Sequence, residues 1–204
     1  MALRSRESTE RAGNRTPVKE RLLHVATRLF ARHGFEGTSV QDIVDAAGVT
    51  KGAMYHYYGS KDDLLYEVYH QVHSMQLSHL VEIAAGPGTP EERLRAAAAD
   101  VVRTSLDNLD DMIVFFRSLH MLPDGKQAQV RAERRKYHDK FKSLVEEGVA
   151  AGTFRGDISS DIVVHYFLSV VNQLGSWYRP DGPLSPDQVG ELFTELLIGG
   201  LASR

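Results

Sequence analysis

The chain has 204 residues, 42% of them hydrophobic and 25% charged, enough apolar material to bury one large core or two small ones, which excludes a disordered polypeptide. A net charge of −3 argues against a strongly basic nucleic-acid binder, yet residues 1–66 carry ten Lys/Arg against eight Asp/Glu while 67–204 carry fourteen against nineteen. Without cysteine there are no disulfides, thiolate zinc sites or cysteine nucleophiles, and no apolar run approaches the roughly 18 residues that span a bilayer. The polar first sixteen residues do not resemble a signal peptide, so a cytoplasmic protein with no membrane partner is expected.

Residues 1–16, with Arg4, Arg6, Arg11 and Arg15, read as a flexible basic arm. TPVKERLLHVATRLFARHG follows, with Thr16 as N-cap, Pro17 at the first helical position, and Val18, Leu22, Val25, Ala26, Leu29 and Phe30 at helical spacing. Gly34 stands where a left-handed C-cap belongs. Thr38 with Gln41 forms a capping-box pattern before Val40, Ile43, Val44 and Ala47, and Gly48 then breaks the chain. Thr50 caps a very short helix, KGAMYHYY, in which Met54 and Tyr57 are expected to point inward. Ser60 with Asp63 caps a helix from Lys61 to about Ala84.

Thr89, Pro90 and Glu92 open a helix to about Leu109, and further helices are expected at about 110–122, 126–151 and 160–178. The last begins at Ser185, with Pro186 and Gln188, Leu184 stapled against Val189, and a stripe of Val189, Leu192, Phe193, Leu196 and Leu197. No alternating strand, low-complexity segment or internal repeat stands out, so the class is all-α, with about nine helices.

Two short helices joined at a glycine and braced by a third are the helix-turn-helix arrangement, whose second helix can enter the DNA major groove. Gly52 and Ala53 keep the front of that helix thin, and Thr38, Thr50, Lys51, Tyr55, His56 and Lys61 supply donors suited to phosphate. Short capped helices also occur in bundles that bind no DNA. The particular residues decide. GVTKGAMYHYYGSKDDLL, preceded by RLFARHGFEGTSVQDIVDAAG, resembles the DNA-binding domain of TetR-family transcriptional regulators, and the resemblance in length and helix count extends from about residue 17 to the end.

That resemblance implies a helix-turn-helix domain over 17–60 and a ligand-binding and dimerisation bundle over 61–204. It implies phosphate contacts from Thr38, Tyr55, His56 and Lys61, and base reading from about Thr50, Lys51 and Gly52 on double-stranded, pseudo-palindromic operator DNA. Val44 departs from the pattern, since relatives usually carry alanine at that interhelical contact; the larger side chain can shift the fit without threatening the assignment.

The segment DIVVHYFLSVVNQLGSWY has no charged residue after Asp161, so it should be buried on more than one side. Together with the Ser185 helix it looks like the family's four-helix dimer interface, with Val170, Leu174, Val189, Leu192, Phe193, Leu196 and Leu197 facing the twin subunit. His165, Ser169, Asn172, Gln173 and Ser176 form a polar ribbon on this helix. Phe115, Phe116, Leu119, His120, Met121, Tyr137 and Phe141, with Asn172, Gln173 and Trp177, are the candidate wall of a pocket for an elongated apolar effector, although each aromatic taken singly also suits a plain core.

The tail WYRPDGPLSPDQVGELF resembles a segment of TetR regulators of fatty-acid and steroid catabolism that respond to acyl-CoA thioesters. Arg131, Arg134, Arg135, Lys136, Lys140 and Lys142 offer cations for coenzyme A phosphates, or simply a solvated helix face. The expectation is therefore a homodimeric, non-enzymatic repressor released from its operator by an apolar effector such as a long-chain or steroid-derived acyl-CoA, with no cofactor. The alternatives are a regulator of efflux genes sensing drug-like molecules, a helical interaction module, or a metal-dependent enzyme in which His70 and His73 share an ion with His120 or His138.

Overall fold

Helix boundaries follow the capping residues. The structure, a computed structural model, describes residues 17–202, so Thr16 and the arginines of the arm lie outside the described residues. In chain order the helices are α1 (Val18–His33), α2 (Val40–Ala47), α3 (Lys51–Tyr57), α4 (Lys61–Ala85), α5 (Pro90–Asp107) and α6 (Leu109–Ser118), which runs into a 3₁₀ turn (Leu119–Met121). Then come α7 (Asp124–Ala150), α8 (Ser160–Asn172), the single turn α9 (Leu174–Trp177) and α10 (Pro186–Leu201). The fold is all-α; an isolated backbone bridge between Phe154 and Ala202 ties the loop after α7 to the end of α10.

Thr50, Ser60, Thr89 and Ser185 each accept a backbone N–H of the first turn, and Glu92 and Gln188 complete reciprocal boxes. Each such cap is worth about 1 kcal/mol. One cap falls a residue later than expected. Ser39, not Thr38, caps α2, and Asp42, not Gln41, reaches back to it. Its carboxyl lies below the usual range because Ser39 donates to it from both hydroxyl and backbone N–H. Gly34 has φ 77° but ψ 162°, so it ends α1 in an extended conformation at positive φ and not in the left-handed cap expected.

Two apolar cores result. The first gathers Leu22, Ala26 and Phe30 of α1, Ile43 and Val44 of α2, Met54 of α3 and Leu64, Leu65 and Val68 of α4, but also Val114 and Phe115 of α6 and Val130 of α7. The expected division at residue 60 therefore crosses a continuous core. The second core joins Leu80 and Ala84 at the far end of α4 to α5, to Phe141 and Leu144 of α7, and to α8 and α10. Helix α4 thus contributes to both, and it is strapped to α7 by Tyr66 Oη donating to Glu133 Oε1 at 2.7 Å and by a Lys126–Asp63 ion pair at 2.5 Å.

The expected helix 160–178 is interrupted at Gln173, whose backbone (φ −88°, ψ −1°) leaves the helical register. This turns Leu174 inward to 2% exposure and leaves Trp177 46% exposed.

Where α7 ends, Gly148 lies under the Phe154 ring so closely that a Cβ there would stand 2.0 Å from Cδ2. Gly148→Ala should therefore destabilise the fold by about 1–3 kcal/mol through overpacking, read as a lower urea midpoint. Gly125→Ala, where a Cβ meets nothing within 4 Å, should cost no stability.

Candidate nucleic-acid interface and effector cavity

Helix α3 is held from behind and bare in front. Gly48 in the left-handed conformation (φ 63°, ψ 42°) makes the sharp turn out of α2. Met54 is fully buried, and Tyr58, four residues on, is buried beside it with Oη donating to the Lys19 carbonyl at 3.1 Å. Burial pushes the Tyr58 phenol up to about 12. The inward partner of Met54 is thus Tyr58, because i and i+4 share a helix face, and Tyr57, expected inward, is outward and 45% exposed against His56.

Thr50, Lys51, Gly52, Tyr55, His56 and Tyr57 all present themselves to the outside. A Cβ at Gly52 would touch only Thr50 Oγ1, at 3.7 Å, so nothing within the chain requires glycine there. Its conformational cost, about 1 kcal/mol relative to alanine, falls on a surface left open for close approach.

Two expected phosphate donors are engaged elsewhere. Thr38 is completely buried and its hydroxyl donates to the Gly34 carbonyl at 2.8 Å, so it braces the loop between α1 and α2 and cannot reach a phosphate. Lys61 Nζ donates to the carbonyls of Phe35 and Thr38 at 2.8 and 2.9 Å and sits 4.2 Å from the centre of the Phe35 ring. The ammonium latches the start of α4 to that loop, with one of its three N–H donors still available. Sequence is ambiguous at Thr38 because Thr38 and Ser39 are both good caps; exposed Ser39 occupies the helix N-terminus.

A second site lies where α4, α5, α6, α7 and α8 meet. A cavity of about 80 Å³ is lined by Val68, Val72, Val101, Phe115, Leu168 and Val171, with Tyr69, His73, Gln76, Ser105, Asp111, Tyr137, Asn172 and Arg134 supplying polar atoms. Of the expected pocket residues, Phe115, Phe116, Tyr137 and Asn172 are in this wall. Phe141 is fully buried behind Tyr137, stacked on Phe167, while Leu119, His120, Met121, Gln173 and Trp177 are not in the lining. The reasons are the α6 end, where a 3₁₀ turn swings Leu119, His120 and Met121 away, and the break at Gln173. The contribution of α4 is not evident from sequence, because its pattern reads as core from end to end.

The polar groups of the cavity differ in their partners. Gln76 Nε2 donates to Thr104 and Ser105, at 2.9 and 3.1 Å, and Asp111 Oδ1 accepts from Thr27 of α1 at 3.0 Å. Burial raises the Asp111 carboxyl above the usual range. Val72 and Asp111 also line an open cleft beside α1, so they form the wall between cavity and DNA-binding helices. Burial lowers His73 to about 4, keeping it neutral near pH 7. Among the described residues no group of three or more His, Asp or Glu is arranged to hold a metal ion; His70 instead stacks on Tyr66 and faces Glu133.

On the far side, Ile162, Tyr166, Trp177, Leu192 and Leu196 are exposed large apolar residues of α8, α9 and α10. Val170 and Phe193 are half-buried at its margin. Leu174, Val189 and Leu197, expected on the same face, instead point into the protomer core. His165, Ser169, Gln173 and Ser176 lie on the exposed side, whereas Asn172 faces the cavity.

A short helix offered by a tight turn, on a core shared with a cavity-bearing bundle, defines a helix-turn-helix DNA-binding regulator. Residues 22–68 match the bacterial regulatory proteins of the tetR family, and residues 87–201 match the tetracyclin repressor-like C-terminal domain. The chain belongs to the TetR family of transcriptional regulators. It is 28% identical over 184 residues to the HTH-type transcriptional repressor KstR2 of Mycolicibacterium smegmatis, covering 90% of each chain. The structure of the ketosteroid transcriptional regulator KstR2 of Mycobacterium tuberculosis superposes with a TM-score of 0.83 at 23% identity, over 93% of this chain and 97% of that one. AibR, in a complex with isovaleryl coenzyme A and operator DNA, superposes with a TM-score of 0.78 at 24% identity, over 89% and 98%.

Gly52→Ala should raise stability by up to about 1 kcal/mol and yet weaken operator binding at least tenfold, measured by urea unfolding and mobility shift. Lys61→Ala should lower stability by roughly 1–2 kcal/mol as well as operator affinity, whereas Tyr55→Phe should lower affinity alone. The folded His73 pKa of about 4 lies below its ordinary 6.5, so the unfolded chain takes up the proton first as pH falls. Stability should drop between those values, and His73→Leu should flatten the drop in urea titrations between about pH 6.5 and 5.

Proposed function

We propose that the protein is a cytoplasmic, homodimeric repressor that an apolar acyl-CoA, long-chain or steroid-derived, releases from a pseudo-palindromic operator. The observation that carries this reading is the shared wall: α4 and α6 line the cavity with one face and pack on the DNA-binding helices with another. At about 80 Å³ the cavity holds only a few waters, so a hydrocarbon chain is accommodated by parting α4 and α6. Parting them tilts α1 through Asp111–Thr27 and carries α3 with the start of α4. Since operator DNA demands one spacing of recognition helices, about 34–36 Å, the effector and DNA weaken each other's binding by the same factor.

The class of effector is supported by chemistry at the rim. Arg134 sits over the Phe116 ring at the cavity edge, with Arg131 and Arg135 exposed on adjoining positions of α7, a set of guanidinium groups suited to coenzyme A phosphates. Isovaleryl coenzyme A bound to AibR supports a coenzyme A thioester, and KstR2, a ketosteroid transcriptional regulator, supports a steroid-derived apolar part. Dimerisation through the apolar α8–α10 face would cover Ile162, Tyr166, Leu192 and Leu196.

Mobility shift on the DNA flanking the gene should show retarded complexes that palmitoyl-CoA or a steroid-derived CoA thioester dissolves and free coenzyme A does not. Retention of the complex with every acyl-CoA, alongside release by drug-like cations, would transfer the protein to efflux control. Trp177, beside Phe193 on the exposed face, should report dimerisation and not effector entry, its emission shifting to the red on dilution. Leu196→Glu should produce that red-shifted emission at all concentrations and abolish operator binding.

A further inference from the structure

Gln76, Ser105 and Asp111 of the cavity wall find partners within the chain, while two buried polar atoms of the same wall find none among the described residues. Gln76 and Ser105 bond each other, and Asp111 bonds Thr27. Tyr69 is only 6% exposed, yet its Oη has no hydrogen-bond partner among the described residues, and the same holds for the buried Nε2 of His73. The two rings stand 5.1 Å apart, one turn apart on α4, and both line the cavity. Their orientations are fixed by neighbours: Tyr69 stacks on Phe115 at 4.2 Å, and His73 leans on Tyr137 at 5.9 Å.

Leaving a buried donor unsatisfied costs about 1–3 kcal/mol, so two side by side in one wall are a recognition element awaiting an oxygen. The charges that face them are the Glu133 carboxylate and the Arg134 guanidinium, with His70 beyond. Burial keeps the imidazole neutral and raises the phenol, so the pair brings no positive charge of its own. A carboxylate placed here would meet Glu133 without a buried counter-ion. A neutral acceptor fits.

We propose that Tyr69 and His73 bind the carbonyl oxygen of the effector, with its hydrocarbon among Val68, Val72, Val101, Leu168 and Val171 and its anionic part outside at Arg134. Tyr69 Oη donates to the oxygen, and His73 donates from Nε2 in the tautomer protonated there. This deepens the effector reading and rests on it. The thioester carbonyl of an acyl-CoA lies between chain and phosphates, and the pair shares the cavity wall with Val68 and Val72 of α4 while feeling the Arg134 guanidinium. Tyr69 and His73 then select esters and ketones over hydrocarbons of equal size.

Decanoyl-CoA and S-decyl-CoA differ in the carbonyl oxygen, which makes them the discriminating pair. Calorimetry on the full-length protein should give decanoyl-CoA roughly tenfold or greater preference, and Tyr69→Phe or His73→Phe should bring the ratio close to one mainly by weakening decanoyl-CoA. Because Tyr69 Oη has no partner among the described residues, Tyr69→Phe should not lower the Tm of the free protein; a fall of several degrees would overturn the proposal by revealing a structural role. Equal binding of both compounds to the wild type, or a ratio that survives both substitutions, would overturn it and leave the acyl-CoA reading standing; the wild-type ratio decides even if a variant fails to fold. If neither CoA compound bound, the acyl-CoA reading would fall, and thermal protection by 2-undecanone against undecane would decide the carbonyl site. Preference for the ketone that Tyr69→Phe removes would uphold it, and no preference or no protection would overturn it.

Discussion

A single helix cannot move at one end only, and α4 belongs to two cores. Leu64, Leu65 and Val68 bury it among the DNA-binding helices, and Leu80 and Ala84 bury it in the bundle. Lys61 pins its first residue to the α1–α2 loop, and Tyr66 and Asp63 pin it to α7. Any change in how Val72, His73 and Gln76 pack against the cavity is therefore transmitted to the loop that positions α2 and α3. Close packing gives such an assembly discrete arrangements and little continuous give, which suits a switch between two spacings.

The second link is polar. Asp111 is half-buried, and its carboxylate is held by a hydroxyl of the DNA-binding unit. A bond of this kind contributes only about 1–3 kcal/mol, but it joins the cavity wall directly to α1. On the proposed reading, rim and interior recognise different parts of one effector. Guanidinium groups remain solvated outside, where a charge is cheap to hold, and neutral donors remain inside, where a charge would be costly.

Much of this is legible in the sequence because caps and periodicity are local. Thr50, Ser60, Thr89 and Ser185 stand at the helix starts they announce, and the apolar spacing of α1 and α2 yields the observed core. What sequence hides is set by tertiary contacts. Thr38 and Lys61 carry the groups of phosphate ligands, yet their neighbours in space, the carbonyls of Gly34 and Phe35, claim them first. Nothing in DIVVHYFLSVVNQLGSWY reveals that the helix breaks at Gln173, and that break exchanges the roles of Leu174 and Trp177. The part of α4 that lines the cavity is hidden because Tyr69 and His73 sit at core spacing, and what marks them is that Tyr69 Oη and His73 Nε2 find no hydrogen-bond partner among the described residues.

The proposed switch rests on effector and operator competing for the spacing of α3 in a dimer. The chain has no cysteine, so Glu36→Cys, at an exposed position beside α2, gives one spin-label site per protomer without background. Pulsed electron resonance should show one narrow distance with operator bound and a distribution displaced by several ångströms when saturating palmitoyl-CoA replaces the DNA. An unchanged distance under palmitoyl-CoA concentrations that release the operator would contradict the mechanism.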